Sequence, residues 1–121
     1  MSLTYTTGTY LPTATGTVST LVTDATGGVK KFRINLTNLP AGTVLNLSFQ
    51  ALNTSSGGSY EERKNVTLSN PVAVPAAPAI GYEPDWQSGD FVVEYGFQVQ
   101  ANIISGTLPT SALDWTEYSV S

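Results

Sequence analysis

Neither histidine nor cysteine occurs among the 121 residues. Their absence removes whole reaction classes, because no Ser-His-Asp triad, cysteine nucleophile, histidine general base or His/Cys zinc site can be assembled. It also removes disulfides, so cysteine usage says nothing about redox compartment. Charge is scarce as well. Only 12% of residues are Asp, Glu, Lys or Arg, about half the usual share. Five Lys and Arg against nine Asp and Glu give a net charge of −4, and three of the five cations are Lys30, Lys31 and Arg33. Nucleic-acid binding by counterion release needs a larger cluster of cations, so no nucleic-acid partner is expected. No apolar run reaches the ~20 residues of a membrane-spanning helix, so no membrane partner is expected either. The opening MSLTYTTGTY has no basic region followed by an apolar stretch, which points to synthesis in the cytoplasm without export by the Sec route. No glycine loop of the Walker or dinucleotide-binding type is found.

What the chain does contain is alternation. Threonine, serine, glycine and valine are plentiful, and apolar residues recur at every second position. Residues 3–10 and 17–23 are threonine-rich strand candidates. After the turn DATGG, Phe32, Ile34 and Leu36 share one face of a strand over 29–37, with Lys31, Arg33 and Asn35 on the other. Leu45, Leu47, Phe49 and Ala51 then alternate with Val44, Asn46, Ser48 and Gln50, and a further strand runs from Tyr60 to Ser69. The three prolines of NPVAVPAAPA (70–79) exclude a central strand and suggest an extended edge or crossover. From Asp90 the longest alternation begins (Phe91, Val93, Tyr95, Phe97, Val99, Ala101, Ile103), with Gly96 as a bulge candidate, and a last strand covers 112–120. Seven to eight strands divided by turn signals predict an all-β antiparallel sandwich, immunoglobulin-like or jelly-roll-like. One domain over 1–121 fits the length, with 1–23 either its first strands or an extended N-terminal arm.

The corner Leu39-Pro-Ala-Gly42 has no ionisable side chain and reads as a bend, with Pro40 fixing φ and Gly42 supplying a positive one. LPAGTVLNLSFQALN resembles the strand–corner–strand passage of fibronectin type III and related immunoglobulin-like modules over some fifteen residues. Ala41 separates Pro40 from Gly42, and Leu45 stands where that family has its corner tyrosine. The resemblance implies a β-sandwich.

Among the polar stretches, Glu61 and Glu62 lie beside Arg63 and Lys64 and read as a solvated, mutually paired strand face rather than a hydrolytic acid pair. GYEPDWQSGD (81–90) reads as a loop whose Glu83, Asp85 and Asp90 are the candidate calcium ligands, although their spacing is not that of an EF-hand. Tyr82 and Trp86 in the same stretch, and Trp115 and Tyr118 later, could stack on a sugar ring or cap the core. The triplets at Asn35, Asn46, Asn53 and Asn65 follow from composition. The uncharged stretch before Asp24 can lie on a neighbour by strand addition.

In composition the chain resembles accessory proteins of tailed-phage particles, such as capsid decoration or cement proteins and small tail or fibre modules. That resemblance implies a non-enzymatic structural protein, without cofactor, that bridges subunits of a virion and stabilises the assembled state. Its partners would be capsid or tail protein and copies of itself, with a trimer favoured. The expected contact residues are Leu3, Tyr5, Tyr10 and Leu11, together with Tyr82, Pro84 and Trp86. The alternative is a carbohydrate- or receptor-binding sandwich of an extracellular or cell-surface protein.

Overall fold

The computed structural model describes residues 3–54, 58–69 and 85–120. Eight strands succeed one another: β1 (Leu3–Tyr10), β2 (Ser19–Asp24), β3 (Gly28–Asn35), β4 (Val44–Leu52), β5 (Tyr60–Ser69), β6 (Asp85–Val93), β7 (Phe97–Ser105) and β8 (Leu113–Val120). They form two four-stranded sheets, ordered β1-β8-β3-β6 and β2-β7-β4-β5. Every pairing is antiparallel. The expected all-β sandwich is therefore the observed fold. In an immunoglobulin sandwich the first two strands share a sheet. Here β1 and β2 lie in different sheets and β1 pairs with β8, an interleaving of early and late strands that makes the order a jelly roll.

The period-2 pattern builds the core directly, since alternate side chains of a strand point to opposite faces. Phe32 and Ile34 of β3, Leu45, Leu47, Phe49 and Ala51 of β4, Phe97, Val99, Ala101 and Ile103 of β7, and Leu113 and Trp115 of β8 are all buried. Phe49 sits at the centre of an aromatic group. Its ring stacks on Trp86, Phe91 and Phe97 at centroid distances of 5.6, 5.1 and 6.3 Å. It also meets Phe32 edge-on at 5.8 Å, and Phe32 in turn stacks on Trp115. Gly8 of β1 lies opposite Trp115, and a side chain there would collide with the indole ring. Only a glycine lets β1 close over that tryptophan.

The Leu39–Gly42 corner is a bend, as its residues imply. Thr43 N–H donates to Pro40 carbonyl at 3.1 Å, with Gly42 at φ +82° as a type II turn requires. Two expectations need correction. The long alternation from Asp90 is two strands, because the chain turns at Glu94–Gly96 and crosses from one sheet to the other. The pattern runs on across the turn because both strands face the same core. Gly96 belongs to that turn, where its carbonyl accepts the Leu52 N–H at 3.0 Å. The stretch read as a loop over 81–90 is strand β6 from Asp85 onward. Its register with β3 shifts between Lys31 and Arg33. Ser88 Oγ accepts the Phe32 N–H there at 3.0 Å, and Gly89 takes φ +79°, so the polar signals belong to a bulge.

Replacing Phe49 by alanine should cost about 3–5 kcal/mol, since the surrounding rings are held by two sheets and cannot close the void. Chemical denaturation of the variant beside the native chain measures it; a loss below about 1 kcal/mol would contradict the central place given to this ring.

Candidate functional site

The outer face of the β1-β8-β3-β6 sheet carries the exposed side chains of interest. Cross-strand partners point to the same side of a sheet, so register aligns Leu3, Val120, Val29 and Val92 in one apolar row across all four strands. Leu3 is 54% and Val92 74% exposed. The next row holds Tyr5, Tyr118, Lys31 and Asp90, with the Tyr5 and Tyr118 rings edge to face at 5.3 Å. Between the two rows lies a hollow of about 300 Å³ bordered by Leu3, Val29, Lys31, Asp90, Tyr118 and Val120, among others. β1 is the edge of this sheet. From Leu3 to Tyr10 it contains no charge and no proline, the devices that ordinarily shield a free edge from pairing.

The expected contact residues divide. Leu3, Tyr5 and Leu11 are exposed, whereas Tyr10 is buried and belongs to the core. Tyr82, Pro84 and Glu83 lie outside the described residues. Trp86 is half-buried on Phe49, with Lys64 Nζ 5.9 Å from its ring centre, and Trp115 is buried against Phe32. Of the calcium candidates, Asp85 pairs with Arg33 at 2.8 Å, and Asp90 stands exposed opposite Lys31. No group of three acids placed to hold a metal ion occurs among the described residues.

Glu61 and Glu62 take hydrogen bonds from neutral groups, not from the adjacent cations. Asn53 donates to Glu61 at 2.9 Å, and Ser48 and Asn65 donate to Glu62 at 2.6 and 2.9 Å. Lys64 reaches the Ser88 carbonyl at 3.1 Å instead.

A second site lies where the β2–β3 turn meets the interior, with Asp24 partly buried and Thr26 exposed. Lys30 is fully buried, and its ammonium donates to Asp24 Oδ2 at 3.0 Å, Thr26 Oγ1 at 2.8 Å and Ser119 Oγ at 2.5 Å. Asp24 Oδ1 accepts the Thr26 N–H at 3.0 Å and its hydroxyl at 2.5 Å. Glu117, only 1% exposed, completes the cluster on β8. Burial and the neighbouring Asp24 charge and hydrogen bond push the Glu117 carboxyl up to about 8, with the Lys30 charge opposing. Burial also pushes Asp24 up, but hydrogen bonds from Thr26, Lys30 and the proton retained by Glu117 outweigh it and bring it down to about 2. At neutral pH the cluster is one ion pair beside a neutral carboxylic acid. Parity could have revealed it. Lys30 is in phase with Phe32 and Ile34, and Glu117 with Leu113 and Trp115, so both fall at inward positions.

No family model matches the chain, and no curated protein does. Among solved structures, a similar one is from Bacillus endospore appendages, a family of disulfide-linked pili. It has a TM-score of 0.47 and 13% identity, over 99% of this chain and 90% of that one.

The Glu117 shift has a readable sign. Its folded pKa lies above the ordinary 4.5, so the native state binds the extra proton between roughly pH 4.5 and 8. Stability should fall as pH rises through that window, by at most about 1.4 kcal/mol per pH unit, and level off above it. Glu117→Gln should flatten the decline. Denaturation midpoints from pH 4.5 to 9 check this, and equal slopes in the two proteins would refute it.

Proposed function

We propose that the chain is a non-enzymatic structural subunit that builds or reinforces a protein assembly through the β1 edge and the outer face beside it. The observation that carries this reading is the edge itself: eight uncharged residues, free of proline, whose outward backbone groups invite another strand. The apolar row starting at Leu3 and ending at Val92 runs from that edge across the sheet, so a neighbour gaining backbone hydrogen bonds would also cover exposed hydrocarbon. In its finer form the reading is an accessory protein of a virion, a decoration or cement protein or a small tail module. It would bind the assembled shell but not the free subunits, and so stabilise the shell by mass action. Partners are then capsid or tail protein and copies of this chain. Of the aromatics that a sugar-binding module would use, Trp115 is buried against Phe32 and Trp86 half-buried on Phe49, while Tyr118 stays on the outer face beside Tyr5. Withdrawal of both tryptophans favours the structural reading over the carbohydrate-binding one.

Light scattering of the purified chain should show a discrete oligomer, the trimer being the favoured state. Tyr5→Lys combined with Thr7→Lys should return it to monomer with its thermal transition retained, because charge is placed along the joining edge. A native chain that stays monomeric at high concentration and sediments with no particle would end the proposal.

A further inference from the structure

The buried cluster contains more than an ion pair requires. The three protons of the Lys30 ammonium are already taken by Asp24, Thr26 and Ser119, and the single negative charge of Asp24 balances it. Glu117 adds a third ionisable group to a place where each such group is costly to bury. Its Oε2 has no hydrogen-bond partner among the described residues. The surrounding groups are Asp24 from β2, Lys30 and Phe32 from β3, Thr6 from β1, and Trp115 and Ser119 on its own strand.

We infer that Lys30 and Asp24 form a self-modification site, at which Glu117 assists condensation of the amine with the carboxyl group into a side-chain amide. The sandwich presents the components that acyl transfer needs. The nucleophile Nζ lies 3.0 Å from Oδ2 of the carboxyl it would attack. Oδ1 rests between the Thr26 N–H and hydroxyl, two fixed donors that hold the oxyanion of a tetrahedral intermediate. Glu117 retains its proton at neutral pH and, hydrogen-bonded to Asp24, can give and take one there.

The step balances. From the resting ion pair, transient passage of one proton from Lys30 to Asp24 Oδ2 leaves a neutral amine facing a neutral acid. Nζ attacks Cγ, the N–C bond forms, and the electron pair moves to Oδ1. Glu117 donates its proton to the departing Oδ2 hydroxyl, and its carboxylate takes a proton from the nitrogen. The C–O bond breaks as Oδ1 returns its electrons, and one water leaves. An ammonium and a carboxylate become an amide and water, with nothing oxidised or reduced. In bulk water the ions are favoured, but here the Lys30 ammonium is fully buried and the Asp24 side chain only 16% exposed, so the neutral amide removes part of their desolvation cost. The product would tie β2 of one sheet to β3 of the other.

The test is the intact mass of the purified full chain, followed by proteolysis. The native protein should be one water lighter than its sequence and yield a branched peptide joining the segments that contain Asp24 and Lys30. Glu117→Gln, which preserves shape and neutrality but cannot shuttle a proton, should have its full sequence mass, as should Lys30→Arg. A native chain at full sequence mass overturns the inference without bearing on assembly. So does a lost water mapped to a single unbranched peptide, a branch at any other carboxyl, or a branch that persists in Glu117→Gln.

Discussion

The two sheets are held face to face by one layer of interlocked rings, and Phe49 is its hub. It comes from the second sheet, and the rings it meets include Phe32, Trp86 and Phe91 from the first. Stacked and edge-on contacts fix ring orientation as well as distance. The group therefore sets the spacing of the sheets and the register in which their smaller residues interdigitate. Trp115 extends the layer toward β1, where Gly8 makes room for it. A chain with no disulfide and little charge relies on this packing for its order.

Against that dry layer the Asp24–Lys30–Glu117 cluster is the main exception. A buried charge is tolerated when paired and fully hydrogen-bonded, and Lys30 meets both conditions. Its position follows from the loop. Asp24 ends β2, and its Oδ1 folds the chain back by accepting from Thr26, which places Oδ2 over the first inward position of β3. Local turn chemistry and a contact between sheets thus share one carboxylate.

Much of this architecture could be read from the residues alone. β1 and β5 match their expected limits, and β2, β3, β4 and β8 lie within a residue or two of theirs, because period-2 patterning survives wherever a strand has one buried face. The break between β6 and β7 was hidden for a physical reason. Both strands turn the same parity of residues toward a shared core, so Glu94–Gly96 interrupts the backbone without interrupting the pattern. Asp85 to Asp90 looked like a loop because Asp, Ser and Gly serve bulges as well as turns. Tyr10 and Trp115 looked available because amphipathic aromatics are found both in cores and on surfaces, and only packing tells which. The outer-face row was invisible for a different reason. Leu3, Val29, Val92 and Val120 are scattered along the chain, and strand order alone makes them neighbours.

The pairing of β1 with β8 sets the timing of folding. Leu3 sits beside Val120, so the earliest of these eight strands waits for the latest of them before it finds its place. Contacts this far apart in sequence make for slow closure. Until then the threonine-rich edge is bare on both sides, and a newly made chain meeting another of its kind can exchange that strand as readily as keep it.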